Sequence, residues 1–182
     1  DISPNADRIV FASLREEAGQ NLYTMNLAGD DLQQLTTGVG QRIRPRWAPN
    51  DLIAFVYPAY SQNAQIWTVK SDGTELVQVT FPTAMESDDG GHDFYAAGQQ
   101  LVFSRYDRAS RKTDLYTTSM DASGSVQRIT QTPDISETLP AVSHDGLLLA
   151  SSAFYHTPSR FTLRIFNVGS WTMVREINLP PP

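Results

Sequence analysis

The chain of 182 residues contains no cysteine. A disulfide framework, a thiolate nucleophile and a cysteine-ligated zinc site are therefore excluded. Histidine is scarce, with three residues, which leaves few imidazoles for a transition metal. Lys and Arg number 14 against 20 Asp and Glu, a net charge of −6, and this disfavours nucleic acid, whose affinity comes from basic side chains releasing counterions. No run approaches the eighteen or so consecutive apolar residues of a membrane-spanning helix, and no basic-then-apolar leader opens the chain; no membrane insertion is expected. Helical spacing of apolar residues is also missing. So are the G-x-S-x-G elbow, the phosphate-cradling G-x-x-x-x-G-K-[ST] loop and the dinucleotide G-x-G-x-x-G.

What is present is a repeat. Phe11, Phe55, Phe103 and Ser151 each close a short apolar run: RIVF, LIAF, LVF and LLAS. A second run starts at Leu22-Tyr23, Ile66-Trp67, Leu115-Tyr116 and Leu163-Arg164, and a third ends at Leu35-Thr36, Val79-Thr80, Ile129-Thr130 and Ile177-Asn178. Four copies of one unit follow, over approximately 1–36, 43–80, 92–130 and 138–178, with a proline-rich tail at 179–182. Each unit holds short runs rich in β-branched and aromatic residues, punctuated by Gly, Asp, Asn and Pro, as strands joined by turns require. Both alternating faces of the runs at Phe11, Phe55 and Phe103 are apolar, as in strands covered on each side. A four-stranded sheet repeated with a period in the forties is the blade of a β-propeller. The expected fold is therefore all-β, a propeller of four-stranded antiparallel blades, with about four blades in this chain.

The motifs WAPN-D-LIAF (47–55), FYAAGQQLVF (94–103) and VSHDGLLLAS (142–151), with NLYTMNLAGD and QIWTVKSDGT, resemble the W-S-P-D-G-x-x-I-A-F and I-Y-x-M-N-x-D-G elements of the TolB-like propeller repeat family. ISPNADRIVF at the start aligns with the same motif, so that Ile2 stands where Trp47 does and most of an inner strand is lacking. The expectation is part of a larger propeller, or a homodimer whose copies complete each other, ahead of a closed four-bladed ring. The resemblance implies a non-enzymatic scaffold for a protein or peptide partner in an extracytoplasmic, periplasmic or secreted, setting. It also admits an accessory propeller of a prolyl-oligopeptidase-like or tricorn-like peptidase, or a metal-dependent propeller lyase.

Strand alternation sorts the connections onto two faces. Tight turns gather Asp30, Asp31, Asp51, Asp72, Glu75, Asp121 and Asp145 against Lys70, which reads as turn chemistry. Longer connections at 14–20, 37–42, 57–64, 81–91, 106–112, 131–137 and 154–160 form the other face, where recognition is expected. It carries Arg42, Arg44, Tyr57, Tyr60, Tyr106, Arg108, Arg111, Tyr155 and His156, with Arg15 and Arg160, residue types enriched at protein interfaces. These are the partner-binding candidates, and no catalytic residue is assigned. Ser143-His144-Asp145 is a turn and not a triad, because neighbours in sequence do not converge. The acidic stretch MESDDGGHDF (85–94) offers Glu86, Asp88, Asp89, His92 and Asp93 as oxygen or imidazole ligands for calcium or another metal, but its spacing fits no standard loop. It reads first as a solvated linker, and no cofactor is expected.

Overall fold

A computed structural model describes residues 1–16, 19–59, 63–81, 87–120 and 125–180. They form four sheets, here blades 1 to 4 in chain order. Blade 1 contains β1 (Arg8–Glu16), β2 (Gly19–Asn26), β3 (Gln33–Gln34) and β4 (Gly40–Gln41). Blade 2 is β5 (Ile43–Trp47), β6 (Leu52–Tyr57), β7 (Gln65–Lys70) and β8 (Val77–Gln78). Blade 3 is β9 (Ser87–Tyr95), β10 (Gln100–Asp107), β11 (Lys112–Ser119) and β12 (Val126–Arg128). Blade 4 is β13 (Ile135–Val142), β14 (Leu148–His156), β15 (Ser159–Asn167) and β16 (Met173–Asn178). The chain divides into two compact units, Asp1–Asp89 and Gly90–Pro182.

The repeated residues meet one another across the strands. Phe11 pairs with Tyr23, Phe55 with Trp67, Phe103 with Tyr116, and Ser151 with Arg164. The register is thus the same in all four blades, including the fourth, where a serine and an arginine replace the aromatic pair. Ile2 bridges to Ile9 as Trp47 pairs with Ile53 and Val142 with Leu149. Blade 1 departs from the others in having β4 run parallel to β2, covering the end of its outer edge that β3 leaves open.

The threonine that closes the third run has a definite task. Its hydroxyl accepts the backbone N–H of Leu22 from Thr36, of Ile66 from Thr80 and of Leu115 from Thr130, each at 2.9 Å and each buried. This satisfies a buried donor that outer strands of only two or three residues do not reach. In blade 4 Asn178 takes the place, and the longer β16 extends the backbone ladder as far as Thr162. Thr80→Val is expected to strand the Ile66 amide and cost about 1–3 kcal/mol. Urea unfolding measures this, and a loss below about 0.5 kcal/mol would deny the hydroxyl that role.

A second period, of two blades, underlies the first. In blades 1 and 3 an aspartate precedes the inner-strand position, and it accepts a backbone N–H from the following blade: Trp47 N–H to Asp1 Oδ2 and Val142 N–H to Asp93 Oδ2, both at 2.8 Å. In the same blades the aromatic pairs stack, at 6.0 Å for Phe11 on Tyr23 and 5.8 Å for Phe103 on Tyr116. Blades 2 and 4 instead break the innermost pairing with a bulge, at Arg44 (φ 56°) before Pro45 and Leu139 (φ 53°) before Pro140.

Three expectations are corrected. The stretch expected as a linker is a strand from Ser87 onward, because its Asp-Asp-Gly-Gly run continues the pleat of β9. The connections expected over 106–112 and 154–160 are shorter than expected, because strands run into them: β10 and β11 leave only 108–111 between them, and β14 and β15 only 157–158. Aromatic and threonine residues in FSRYD, KTDLY, FYH and SRFT favour the extended backbone there. The acidic turns are also less uniform than expected, since Arg8 joins Lys70 in balancing them, pairing with Asp31 as Lys70 does with Glu75. Asp72 and Asp145 accept hydrogen bonds within their own turns, from Thr74 and from Ser143 and Leu147. Asp121 lies outside the described residues.

Candidate recognition surface

In unit 1 two of the expected partner-binding residues serve the scaffold. Arg42 is buried, donates from Nη2 to the Thr37 carbonyl at 2.9 Å and from Nη1 to the carbonyls of Gly38 and Val39, and lies 4.4 Å over the Tyr57 ring. Burial pushes its pKa down, partly countered by Tyr57. Tyr57 sits edge-on to Trp67 and donates to the Val39 carbonyl. Gly40, at φ +91°, lets this ring approach, since a Cβ there would stand 2.9 Å from it. Arg42 and Tyr57 therefore brace the 37–40 loop. Arg44 and Arg15 are exposed, while Tyr60 lies outside the described residues.

Unit 2 brings the remaining candidates to one end. The hairpin between β10 and β11 carries Tyr106, Arg108 and Arg111, and the hairpin between β14 and β15 carries Tyr155, His156 and Arg160. A polar chain joins them: Thr113 N–H donates to Ser136 Oγ at 3.3 Å, and Ser136 Oγ lies 3.0 Å from His156 Nε2. Beside it Lys112 reaches Asp134 at 4.0 Å, and the Asp134 carbonyl accepts His156 N–H. Arg111 and His156 are exposed and Tyr106 is half-buried. Asp107 accepts from the amides of Ala109 and Ser110 and so shapes the turn that presents Arg108 and Arg111.

Tyr155 is held from three sides. Its phenol donates to Glu176 Oε2 at 2.5 Å and accepts from Arg164 Nη2 at 2.9 Å, and the Arg160 guanidinium stacks 3.9 Å over its ring. Arg164 further donates from Nη1 to Glu137 Oε1 at 2.6 Å and from Nε to Glu176 Oε2 at 2.9 Å. Burial alone would lower the Arg164 pKa, but these acceptors outweigh it and raise it. Burial acts to raise Glu176, and hydrogen bonds from Tyr155 and Arg164 overcome it and hold the carboxyl below its ordinary range. The sequence reading missed Glu137 and Glu176. Their signal was the arginine in an aromatic position, which needs a carboxylate once buried.

The proposed metal ligands do not converge. Asp88 Oδ1 accepts the amides of Asn63 and Ala64, Asp89 is buried in β9, and His92 Nδ1 faces the Gly90 carbonyl at 3.2 Å. Glu86 lies outside the described residues. His144 and His156 stand at opposite ends of β14. Among the described residues no group of three or more His, Asp or Glu could hold a metal ion, and none of their helices is long and apolar enough to cross a membrane.

The sheets and this register define the TolB-like β-propeller fold. No family model and no curated protein matches the sequence. Among solved structures, a putative TolB from Agrobacterium tumefaciens superposes with a TM-score of 0.75 at 15% identity, over 97% of this chain and 64% of that one. An oligogalacturonate lyase in complex with manganese gives 0.76 at 15% identity, over 96% and 51%. A puromycin-hydrolysing peptidase from Mycobacterium tuberculosis gives 0.72 at 10% identity, over 98% and 28%. The chain thus spans less than two thirds of the length of the structures it resembles.

Proposed function

We propose that the chain is a non-enzymatic binding scaffold of TolB type, which holds a protein or peptide at the hairpin end of unit 2. The observation that carries this reading is the gathering of Tyr106, Arg108, Arg111, His156 and Arg160 around the Thr113–Ser136–His156 chain. Aromatic and guanidinium groups offer large contact areas with polar ends, and rigid hairpins hold them at little entropic cost. Their positive charge, in a chain of net −6, selects an acidic segment. An extracytoplasmic setting belongs to the same reading.

Peptides selected by display against the purified chain test it. They are expected to be rich in Asp, Glu and aromatic residues and to lose about tenfold or more in affinity to a Tyr106→Ala/Arg111→Ala double variant of unchanged melting temperature. Equal binding to both proteins, or loss on altering Asp145 at the tight turn between β13 and β14 of the same unit, would remove the site from this end.

The likeness to the peptidase, of which this chain matches 28%, supports a second reading as the accessory propeller of a prolyl-oligopeptidase-like or tricorn-like peptidase. A G-x-S-x-G-bearing domain encoded in the same gene would favour it. For the lyase reading, no group of three or more His, Asp or Glu among the described residues could hold a metal ion.

A further inference from the structure

Blades 2 and 4 make the same contact in their two units, each laying one face of its sheet on the blade before it. In unit 1 Ile53, Phe55 and Val69 of blade 2 meet Val10 and Leu22 of blade 1, with Tyr57 and Trp67 packed beside them. In unit 2 Leu149 and Phe166 of blade 4 meet Val102 and Leu115 of blade 3. The registers place Ser151 where Phe55 stands, Ala153 for Tyr57, Arg164 for Trp67, Thr162 for Gln65 and Glu137 for Arg42. Blade 4 thus gives up three rings at positions that its counterpart fills, and Tyr155 returns one, on the side of the sheet where it meets Glu176. The contact closes over the smaller residues nonetheless: Glu137 and Thr162 are 0% exposed, and Ser151 and Ala153 1%.

Among the described residues, three buried oxygens inside this contact have no hydrogen-bond partner. Glu137 Oε1 accepts from Arg164 Nη1 at 2.6 Å, but Glu137 Oε2, Ser151 Oγ and Thr162 Oγ1 are unbonded. They belong to one patch of the sheet. Ala153 pairs with Glu137 on one side and with Thr162 on the other, and Ser151 lies two residues along β14, on the same face. The equivalent polar groups of unit 1 are satisfied: Arg42 donates to the carbonyls of Thr37, Gly38 and Val39, and Gln65 accepts from Gln78. An unpaired buried oxygen is costly, most of all on a carboxylate.

We infer that Glu137 Oε2, Ser151 Oγ and Thr162 Oγ1 together hold a monovalent cation of sodium, potassium or ammonium size in the contact between blades 3 and 4. Charge selects a cation. Arg164, the buried guanidinium of this face, serves two carboxylates, Glu137 through Nη1 and Glu176 through Nε. Arg160 reaches Glu176 at 3.4 Å from the exposed side, where an ion pair contributes little. Two carboxylates therefore share one buried positive charge, and a bound cation makes up the difference. The oxygens select its valence: one carboxylate and two neutral hydroxyls suit a hard ion of single charge, whereas calcium takes about six to eight oxygens. Closure of the contact over the patch restricts the guest to a compact ion. Its ligands come from β13, β14 and β15, so the cation ties three strands together next to the hairpin that carries Tyr155 and His156.

Thermal unfolding of the 182-residue chain in sodium, potassium and ammonium chloride tests the inference. Tetramethylammonium chloride, whose cation is bulky and has no N–H, makes up a constant ionic strength so that screening is fixed. With at least one of the small cations the melting temperature is expected to rise by about 3–5 °C for each tenfold increase above the dissociation constant. Ser151→Ala/Thr162→Val removes two of the three oxygens and leaves the Glu137–Arg164 pair, so the double variant is expected to lose this response. Thr162→Ser keeps the hydroxyl and should retain it, and Ser151→Ala alone, a milder change, should weaken it. The series on the unsubstituted chain decides whether a cation binds, whatever the variants do to folding. Equal melting in every salt, as for a site that takes an ordered water only, overturns the inference. So does a response that the variants keep in full, which would put the cation elsewhere.

Discussion

Phe55→Ala is expected to lower the stability of the chain by about 3–5 kcal/mol. The side chain is 1% exposed and sits with Val10, Leu22, Leu35, Ile53 and Val69 in the contact between blades 1 and 2. Truncation removes the transfer energy of the ring and opens a cavity that strands on both sides, tied by backbone ladders, cannot collapse to fill. Phe103→Ala should cost a similar amount, since Phe103 is fully buried against Tyr116. Phe11→Ala, at the half-exposed equivalent in blade 1, should cost less than half as much in the isolated chain. Urea unfolding of the three variants gives the ranking. Near-wild-type midpoints for Phe55→Ala and Phe103→Ala would contradict the equivalence of the blades.

The second large effect is expected at the charged substitute for that aromatic pair. Glu137 is fully buried and Arg164 nearly so, and their ion pair crosses the sheet above the small side chains of Ser151 and Ala153. Arg164→Met leaves the Glu137 carboxylate buried without its counter-charge, at about 3–5 kcal/mol. Replacing the set together, as Glu137→Leu, Ser151→Phe and Arg164→Tyr, should recover most of that loss, because a packed apolar pair needs no desolvation of charge. A triple variant no more stable than Arg164→Met would show that blade 4 lacks room for the aromatic pair. The same network sets an acid limit. The Glu176 carboxyl has a folded pKa below its ordinary value of 4.5, so its contribution is complete above that value and disappears as pH falls through the folded pKa. Glu176→Gln should therefore flatten the fall of stability on the acid side, which unfolding curves across that window measure.

Phe11, Phe55 and Phe103 made the blades legible, because an aromatic closing a run of two-residue alternation has few structural meanings and recurs at a nearly constant spacing. The tyrosine and arginine candidates were less legible. Arg42 and Tyr57 have interface composition, yet a pair of such residues satisfies itself: one guanidinium meets three carbonyls and a ring before a partner arrives. His92 and Asp89 look like solvated linker residues until the strand that holds them is known. Nothing local in Ser-Asp-Asp-Gly-Gly favours a strand, and the neighbouring sheet decides it. Arg164 shows the opposite case. A break in the repeat is plain at that position, and the carboxylates that explain it come from the flanking strands β13 and β16.

The alternation of blades gives each unit an order. Aspartates at positions 1 and 93 stand on the first blade of a unit, and bulges at Arg44 and Leu139 on the second. In both units the carboxylate takes up the amide three residues beyond the bulge, so the two blades of a unit are fitted to one another and are not interchangeable.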